Sequence, residues 1–160
     1  DTMAFYLGMK MAVFDVTDVN HPVVMFKETI GDRGTDSELL QNHKALLFDK
    51  DKNLLAFPVK VMVTDDSQNN TGSNIPQYGN FTFQGAYVYS LDLINGFSLK
   101  GKLTHLTAED YLKAGNYWYN SDKDITRILY INDVLYTLSN SMIMANSLGD
   151  LREIKRLEIK

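Results

Sequence analysis

The sequence predicts an all-β protein, and two observations support this fold class. Short apolar runs rich in β-branched and aromatic residues recur along the chain, separated by turn residues about every 8–12 positions. Some of these runs meet at Asn95-Gly96 and Asn132-Asp133, pairs that are typical of tight hairpin turns. The chain has 160 residues, 44% hydrophobic and 22% charged, so it can bury a substantial core and is not disordered as a whole.

The first half of the chain contains four predicted strands. They span residues 9–16, 23–30, 43–48 and 54–63. Turn residues between Asp18 and Pro22 separate the first pair, and a hairpin turn at 49–53 joins the second pair. The composition of residues 31–38 predicts a loop. Pro58 lies inside the fourth strand and indicates an irregularity or an unpaired N–H at that point.

The second half contains six more predicted strands. They span residues 85–93, 97–106, 125–131, 134–139, 142–148 and 151–159. The apolar residues of the last segment also fit a helical stripe, but the preceding hairpins favour a strand. Polar segments at 64–83 and 107–124 interrupt the rhythm. The second could begin with a helical turn, since Thr107 is a suitable N-cap and Asp110 follows three residues later.

An internal repeat narrows the prediction to one architecture. Residues 11–18, 87–93 and 144–150 match as a strand and the turn that follows it, and residues 43–57 and 125–138 match as hairpins that precede such a strand. If the strands of a repeat are lettered a to d, the order is c-d, a-b-c-d, a-b-c-d. Repeated four-stranded meanders are typical of β-propellers, so the sequence predicts about two and a half four-stranded antiparallel blades.

Charge and composition exclude several classes of protein. Lys and Arg number 16 against 20 Asp and Glu, and a net charge of -4 argues against a nucleic-acid partner. The absence of cysteine excludes disulfides, thiolate zinc sites and a cysteine nucleophile. No apolar run approaches the roughly 18 residues of a membrane span, and no signal peptide is visible. We find no phosphate-binding loop or nucleophile elbow and expect no cofactor.

The chain resembles a family of secreted bacterial and archaeal proteins with a C-terminal β-propeller distantly related to WD repeats. The matching segments are residues 8–22, 30–38, 42–59, 84–105 and 125–146. The most specific of them contains the GDRGT, HKA and FDKDKNLL runs between residues 31 and 55. The resemblance implies a propeller fold and a secreted or cell-surface location. It brings no catalytic residues.

The repeat and the resemblance together predict how the chain is divided. We expect residues 1–160 to be the C-terminal part of a propeller, with a half blade at 8–30 and blades at 43–106 and 125–159. Propellers usually close with about 4–8 blades, so we expect the rest to precede this stretch. An open blade edge could pair with another copy of the chain.

The densest polar group in the sequence is the loop at 31–38 together with His43. Asp32, Glu38 and His43 could bind a ligand or metal, or line the channel of an enzyme. The alternative, which we favour, is a buried structural network in which Arg33 pairs with Asp32 or Glu38 and His43 fixes the start of a blade.

Two other groups of residues are candidate sites. Asp49, Asp51 and Asn53 have the alternate spacing of a calcium loop, but the later positions lack the expected Gly and Glu, and Asp and Asn are common in hairpin turns. We therefore expect no metal there. An aromatic group in the second long loop could stack on a sugar or anchor a protein, or instead cover a junction between blades. Its members are Tyr111, Tyr117, Trp118 and Tyr119.

These observations favour a non-catalytic module that binds a protein or a polysaccharide through loops on a rigid scaffold. The alternative is a propeller-type hydrolase or lyase with acidic residues at the channel face. A third possibility is a purely structural role.

Overall fold

The computed structural model describes residues 5–65, 75–117 and 120–159. Within these ranges there are ten strands, one α-helix and two short 3₁₀ helices. The strands are β1 Met9–Asp15, β2 Val23–Ile30, β3 Leu47–Asp49, β4 Leu54–Val63, β5 Asn80–Asp92, β6 Gly96–Leu103, β7 Arg127–Ile131, β8 Val134–Leu138, β9 Met142–Ser147 and β10 Glu153–Glu158. The helices are α1 Ala108–Ala114 and the 3₁₀ turns Glu38–Leu40 and His43–Ala45.

The strands form three antiparallel sheets, each of which follows the order of the chain. The first sheet contains β1 and β2, the central sheet β3 to β6, and the third sheet β7 to β10. Two four-stranded meanders and a two-stranded sheet are the arrangement expected for about two and a half propeller blades. The predicted fold class is therefore confirmed.

The central sheet is covered on both faces, which explains the unbroken apolar run of β4. Leu54 and Ala56 pack in a core with Leu135 of the third sheet. The intervening residues, such as Phe57, pack in a second core with Met9 of the first sheet. Because successive side chains of a strand point to opposite faces, a strand buried on both sides must be apolar at nearly every position.

The closing segment is a strand, as the hairpin rhythm predicted. β10 pairs with β9, and all six of its residues are exposed. The helix-forming composition of this segment therefore does not determine its structure. Pairing with β9 supplies backbone hydrogen bonds that hold the segment in an extended conformation. The predicted helical turn is also present: Thr107 and Asp110 form a capping box at the start of α1.

Two predicted element boundaries are wrong. Residues 43–48 do not form one strand, because the Asn42 side chain accepts from the Lys44 amide and starts a 3₁₀ turn. Only Leu47–Asp49 remains extended there. The predicted loop at 64–83 is also too long, because β5 begins at Asn80 and pairs with the full length of β4.

A buried histidine connects the central and third sheets. His105 follows β6 and is only 2% exposed. Its Nε2 lies 2.9 Å from the Thr137 hydroxyl and its Nδ1 lies 3.0 Å from the Ser139 hydroxyl. Burial lowers the pKa of His105 to about 4, and the nearby positive charge of Arg156 acts in the same direction.

The packing between sheets predicts a large cost for truncating a fully buried leucine. Leu135→Ala removes a side chain that is 0% exposed and should lower the free energy of unfolding by about 2–5 kcal/mol. Leu112→Ala, at a position 83% exposed, is the matched control and should change it by less than about 0.5 kcal/mol. Urea denaturation measures both, and equal effects would contradict the packing described for the third sheet.

The environment of His105 predicts a loss of stability in mild acid. The folded chain keeps this imidazole neutral down to a pKa of about 4, whereas the unfolded chain protonates it near its ordinary value of 6.5. Because the unfolded state binds more protons between these values, stability falls as the pH drops from 6.5 towards 4, on the order of 2–3 kcal/mol. His105→Gln should show a correspondingly smaller drop in urea stability between about pH 7 and pH 4.5. His43→Gln, at an exposed position, should keep the full drop, and the same drop in both variants would contradict this account.

Candidate functional site

An open polar cleft lies where the loop between β6 and β7 meets the turn between β8 and β9. Its volume is about 670 Å³, within the range of ligand-binding sites. The lining residues are Asp110, Asn120, Ser121, Asp122, Lys123, Asp124, Thr126, Asn140 and Ser141. Every one carries a polar side chain, so the cleft offers hydrogen-bonding groups beside the apolar parts of these side chains.

The loop that forms most of the cleft is held at its start by α1. Thr107 Oγ1 accepts from the Asp110 amide at 3.3 Å, and Asp110 Oδ2 accepts from the Thr107 amide at 2.8 Å. Gly115 ends the helix with a φ of 58°, a left-handed conformation that favours glycine. The chain then turns back towards β7.

Asp110 also fixes the second half of the loop. Lys123 Nζ lies 2.6 Å from Asp110 Oδ2. This hydrogen bond, together with the bond from the Thr107 backbone, lowers the pKa of Asp110 to about 2. The carboxylate therefore stays charged at neutral pH, and its partners give it a structural role.

Asp124 has a different environment. Its Oδ2 accepts from the Ser121 amide at 3.3 Å, whereas Oδ1 is buried and has no hydrogen-bond partner among the described residues. Burial raises the pKa of Asp124, which means that its charged form is poorly solvated.

The segment that carries Asp124 is attached firmly to the central sheet. The buried amide of Gln84, on β5, donates to the Ile125 carbonyl at 3.0 Å and accepts from the Ile125 amide at 3.1 Å. This reciprocal pair fixes the backbone next to the cleft. The cleft therefore has at least one rigid wall.

A smaller cavity of about 180 Å³ shares Asn120, Asp124 and Thr126 with the cleft and lies against β4. Lys60 and Asp36 also line it. Burial lowers the pKa of Lys60, while the charges of Asp36 and Asp124 act in the opposite direction. Lys60 and the two carboxylates therefore lie close enough to interact electrostatically.

The structure does not bring Asp32, Arg33, Glu38 and His43 into one network. Asp32 Oδ2 accepts from the amide and hydroxyl of Thr64, at 2.7 and 2.9 Å. The predicted pairing of Arg33 with Asp32 or Glu38 is wrong.

Arg33 donates to the Pro76 carbonyl and lies over the rings of Phe5 and Tyr78, with centroid distances of 4.9 and 4.2 Å. The guanidinium therefore contacts aromatic rings instead of a carboxylate. No sequence pattern indicates that Phe5, Pro76 and Tyr78 lie beside the loop at residues 31–38.

Glu38 and His43 also differ from the predicted network. Glu38 accepts from the Asn42 side chain at 3.3 Å, lies 3.7 Å from Arg127 and lines the smaller cavity. His43 is exposed at the start of a 3₁₀ turn, so it does not form part of a buried network. The catalytic trio of Asp32, Glu38 and His43 is therefore not assembled.

Asp49, Asp51 and Asn53 lie at the hairpin between β3 and β4. Asp49 accepts from the Tyr130 hydroxyl and from the Lys52 amide, and the Tyr130 bond lowers the pKa of Asp49. Asn53 has a φ of 50°, as a tight turn requires. Throughout the described residues, no group of three or more His, Cys, Asp or Glu could hold a metal ion.

The predicted aromatic group is divided by the structure. Tyr111 is partly buried and stacks on Phe81 with ring centroids 5.8 Å apart, so it covers the end of the central sheet. Tyr117 is 82% exposed and lies three residues before Asn120 in the cleft. Trp118 and Tyr119 lie outside the described residues.

The sequence contains only a weak signal for the polar cleft. Residues 120–124 read NSDKD, which is an ordinary loop composition, and no motif links them to Asn140 and Ser141. Folding connects the two segments through the Asp122 carbonyl, which accepts from the amide and hydroxyl of Ser141 at 3.0 and 3.1 Å.

The antiparallel four-stranded sheets and their face-to-face packing define a β-propeller-type scaffold. A family model described as a beta propeller domain matches residues 1–151, and the chain belongs to this family. Searches of curated proteins and of solved structures give no match. No helix in the described part of the chain is long and apolar enough to cross a membrane.

The capping box and the ion pair at Asp110 predict a local stability effect. Asp110→Ala removes one half of the capping box of α1 and the partner of Lys123, and should lower the free energy of unfolding by about 1–2 kcal/mol. Asp122→Ala, an exposed position in the same loop, is the control and should cost less than about 0.5 kcal/mol. Urea titration measures both, and an Asp110 effect no larger than the control would argue against the structural role.

Proposed function

We propose that this β-propeller is a secreted or cell-surface, non-catalytic module that binds a neutral polysaccharide in the polar cleft. The carrying observation is that all the side chains lining this cleft are polar, while exposed Tyr117 lies three residues from it in the chain. A rigid scaffold with a variable loop site is a common arrangement for binding proteins. The secreted location rests on the family resemblance of the sequence.

The chemistry of the cleft suits a ligand with many hydroxyl groups. A sugar hydroxyl both donates and accepts, and the cleft supplies amides at Asn120 and Asn140 and hydroxyls at Ser121 and Ser141. Each such bond contributes about 0.5–1.5 kcal/mol.

The charge of the cleft favours a neutral ligand over an anionic one. Asp110, Asp122 and Asp124 line it, and Lys123 is already paired with Asp110. Like charges would repel a phosphate or sulfate group at this surface. The chain as a whole also carries a net charge of -4.

Two carboxyl groups that a hydrolase could use already have structural partners. Glycoside hydrolysis usually requires two carboxyl groups that both face the scissile bond. Asp110 is committed to Thr107 and Lys123, and Asp32 is committed to Thr64. A hydrolase or lyase would therefore need acids other than these.

Affinity electrophoresis in gels containing neutral polysaccharides tests the proposal. Tyr117→Ala and Asn140→Ala, both at exposed positions, should each weaken retention about tenfold, because each removes one stacking or hydrogen-bonding group. Tyr6→Ala, at a position 94% exposed and outside the cleft, should leave retention unchanged.

Two outcomes would overturn this proposal. One is the absence of retention on every neutral polysaccharide. The other is a loss of retention in Tyr6→Ala as large as the loss in Tyr117→Ala, which would remove the cleft as the binding site. Shortening of the polysaccharide during incubation would instead favour the enzymatic alternative.

A further inference from the structure

The smaller cavity adjoins the polar cleft and ends at the central sheet. Asn120, Asp124 and Thr126 line both spaces, so a ligand that lies in the cleft can reach the smaller cavity directly. Pro58 and Val59 of β4 line the inner side of the smaller cavity, and both are almost fully buried in the sheet. The smaller cavity therefore forms a closed end beside the open cleft.

The volume of the smaller cavity suits one monosaccharide. At about 180 Å³, it equals the space that roughly six water molecules occupy in the liquid. The cleft is several times larger, at about 670 Å³. A polysaccharide that lies in the cleft can therefore place one ring in the smaller cavity but cannot continue through it. Only a ring at the end of a chain or branch meets this condition.

Asp36 and Lys60 form a polar side of the smaller cavity. Their backbones exchange two hydrogen bonds: the Asp36 amide donates to the Lys60 carbonyl at 3.0 Å, and the Lys60 amide donates to the Asp36 carbonyl at 2.8 Å. Residues directly opposite each other in an antiparallel pair have side chains on the same face. The carboxylate and the ammonium group therefore leave the backbone side by side, and the charge of Asp36 acts on Lys60.

This pair offers both kinds of hydrogen bond to neighbouring sugar hydroxyls, because a hydroxyl donates to a carboxylate and accepts from an ammonium group. An ammonium group has three N–H donors and a carboxylate has several acceptor positions, so the two groups can bind each other and a sugar at the same time. Glu38 and Asp124 also line the cavity. The carboxylates therefore outnumber Lys60 and disfavour an acidic sugar.

We propose that the smaller cavity binds the terminal sugar ring, at the non-reducing end, of the neutral polysaccharide that occupies the cleft. This inference rests on the proposed function. A ring at the non-reducing end is attached to its chain only through its anomeric carbon, so its other hydroxyls are free to bind Asp36 and Lys60. The smaller cavity thereby selects chain ends over internal segments.

Methyl glycosides of glucose, galactose and mannose are the probes, because the methyl group stands where the rest of the polysaccharide is attached. In NMR titrations of the full chain, at least one of them should shift the amide resonances of Ser37, Lys60 and Ile125 saturably. Lys60→Met should weaken this binding at least about tenfold, because it removes a charged donor. Lys100→Met, outside both cavities, is the matched control and should stay within about twofold.

Asp36→Asn is a second variant that preserves the local structure. The asparagine keeps the size of the side chain and an acceptor for the Ser37 amide, which donates to Asp36 Oδ1 at 2.8 Å. It removes the charge of the acceptor, so glycoside binding should again weaken. The amide resonances outside the cavity show whether each variant is folded.

Three results would overturn the inference: no shift with any glycoside, shifts confined to Asn140 and Ser141 of the cleft, or equal losses in Lys60→Met and Lys100→Met. If polysaccharide gels still retain the chain in these cases, the proposed function stands and only the terminal sugar site fails. If retention is absent as well, both proposals fail.

Discussion

The face-to-face packing of the sheets is the constraint on which the rest of the structure depends. β4 and β5 contribute to two separate cores, one on each side of the central sheet. A polar group that reaches deep into one of these cores has a partner: the Tyr89 hydroxyl donates to Glu28 of β2 at 2.8 Å. Burial and the nearby Glu28 raise the pKa of Tyr89, so the phenol stays neutral and joins the first and central sheets.

The same packing positions the polar cleft. Loop residues cannot hold a precise arrangement alone, because few contacts restrain them. Here Gln84 anchors the backbone of Ile125 to β5, while Asp110 and Lys123 join the two halves of the loop. The side chains of the cleft are thus carried by a loop that is tied to the most deeply buried strands.

The two faces of the central sheet are covered to different extents. One face is covered by a sheet of four strands, the other by a sheet of two. β5 is buried on both faces: Ala86 packs in the core shared with the third sheet, and Tyr87 packs in the core shared with the first sheet. The difference is confined to the inner strands, near Phe48, where the first sheet has no counterpart of β7 and β8 within the described residues.

The sequence by itself determined the strands, their antiparallel order and the repeat, because these depend on local periodicity and on turn residues such as Asn132 and Asp133. Local side-chain bonding was harder to foresee, as the 3₁₀ turn begun by Asn42 shows. The contacts between polar residues at the candidate sites, in contrast, depend on the tertiary structure. Asp32 meets Thr64, Arg33 meets Tyr78, and Asp122 meets Ser141, each across a stretch of chain that no periodic pattern spans. Long-range partners depend on how the sheets stack. The local sequence around these polar residues does not indicate which of them the stacking brings together.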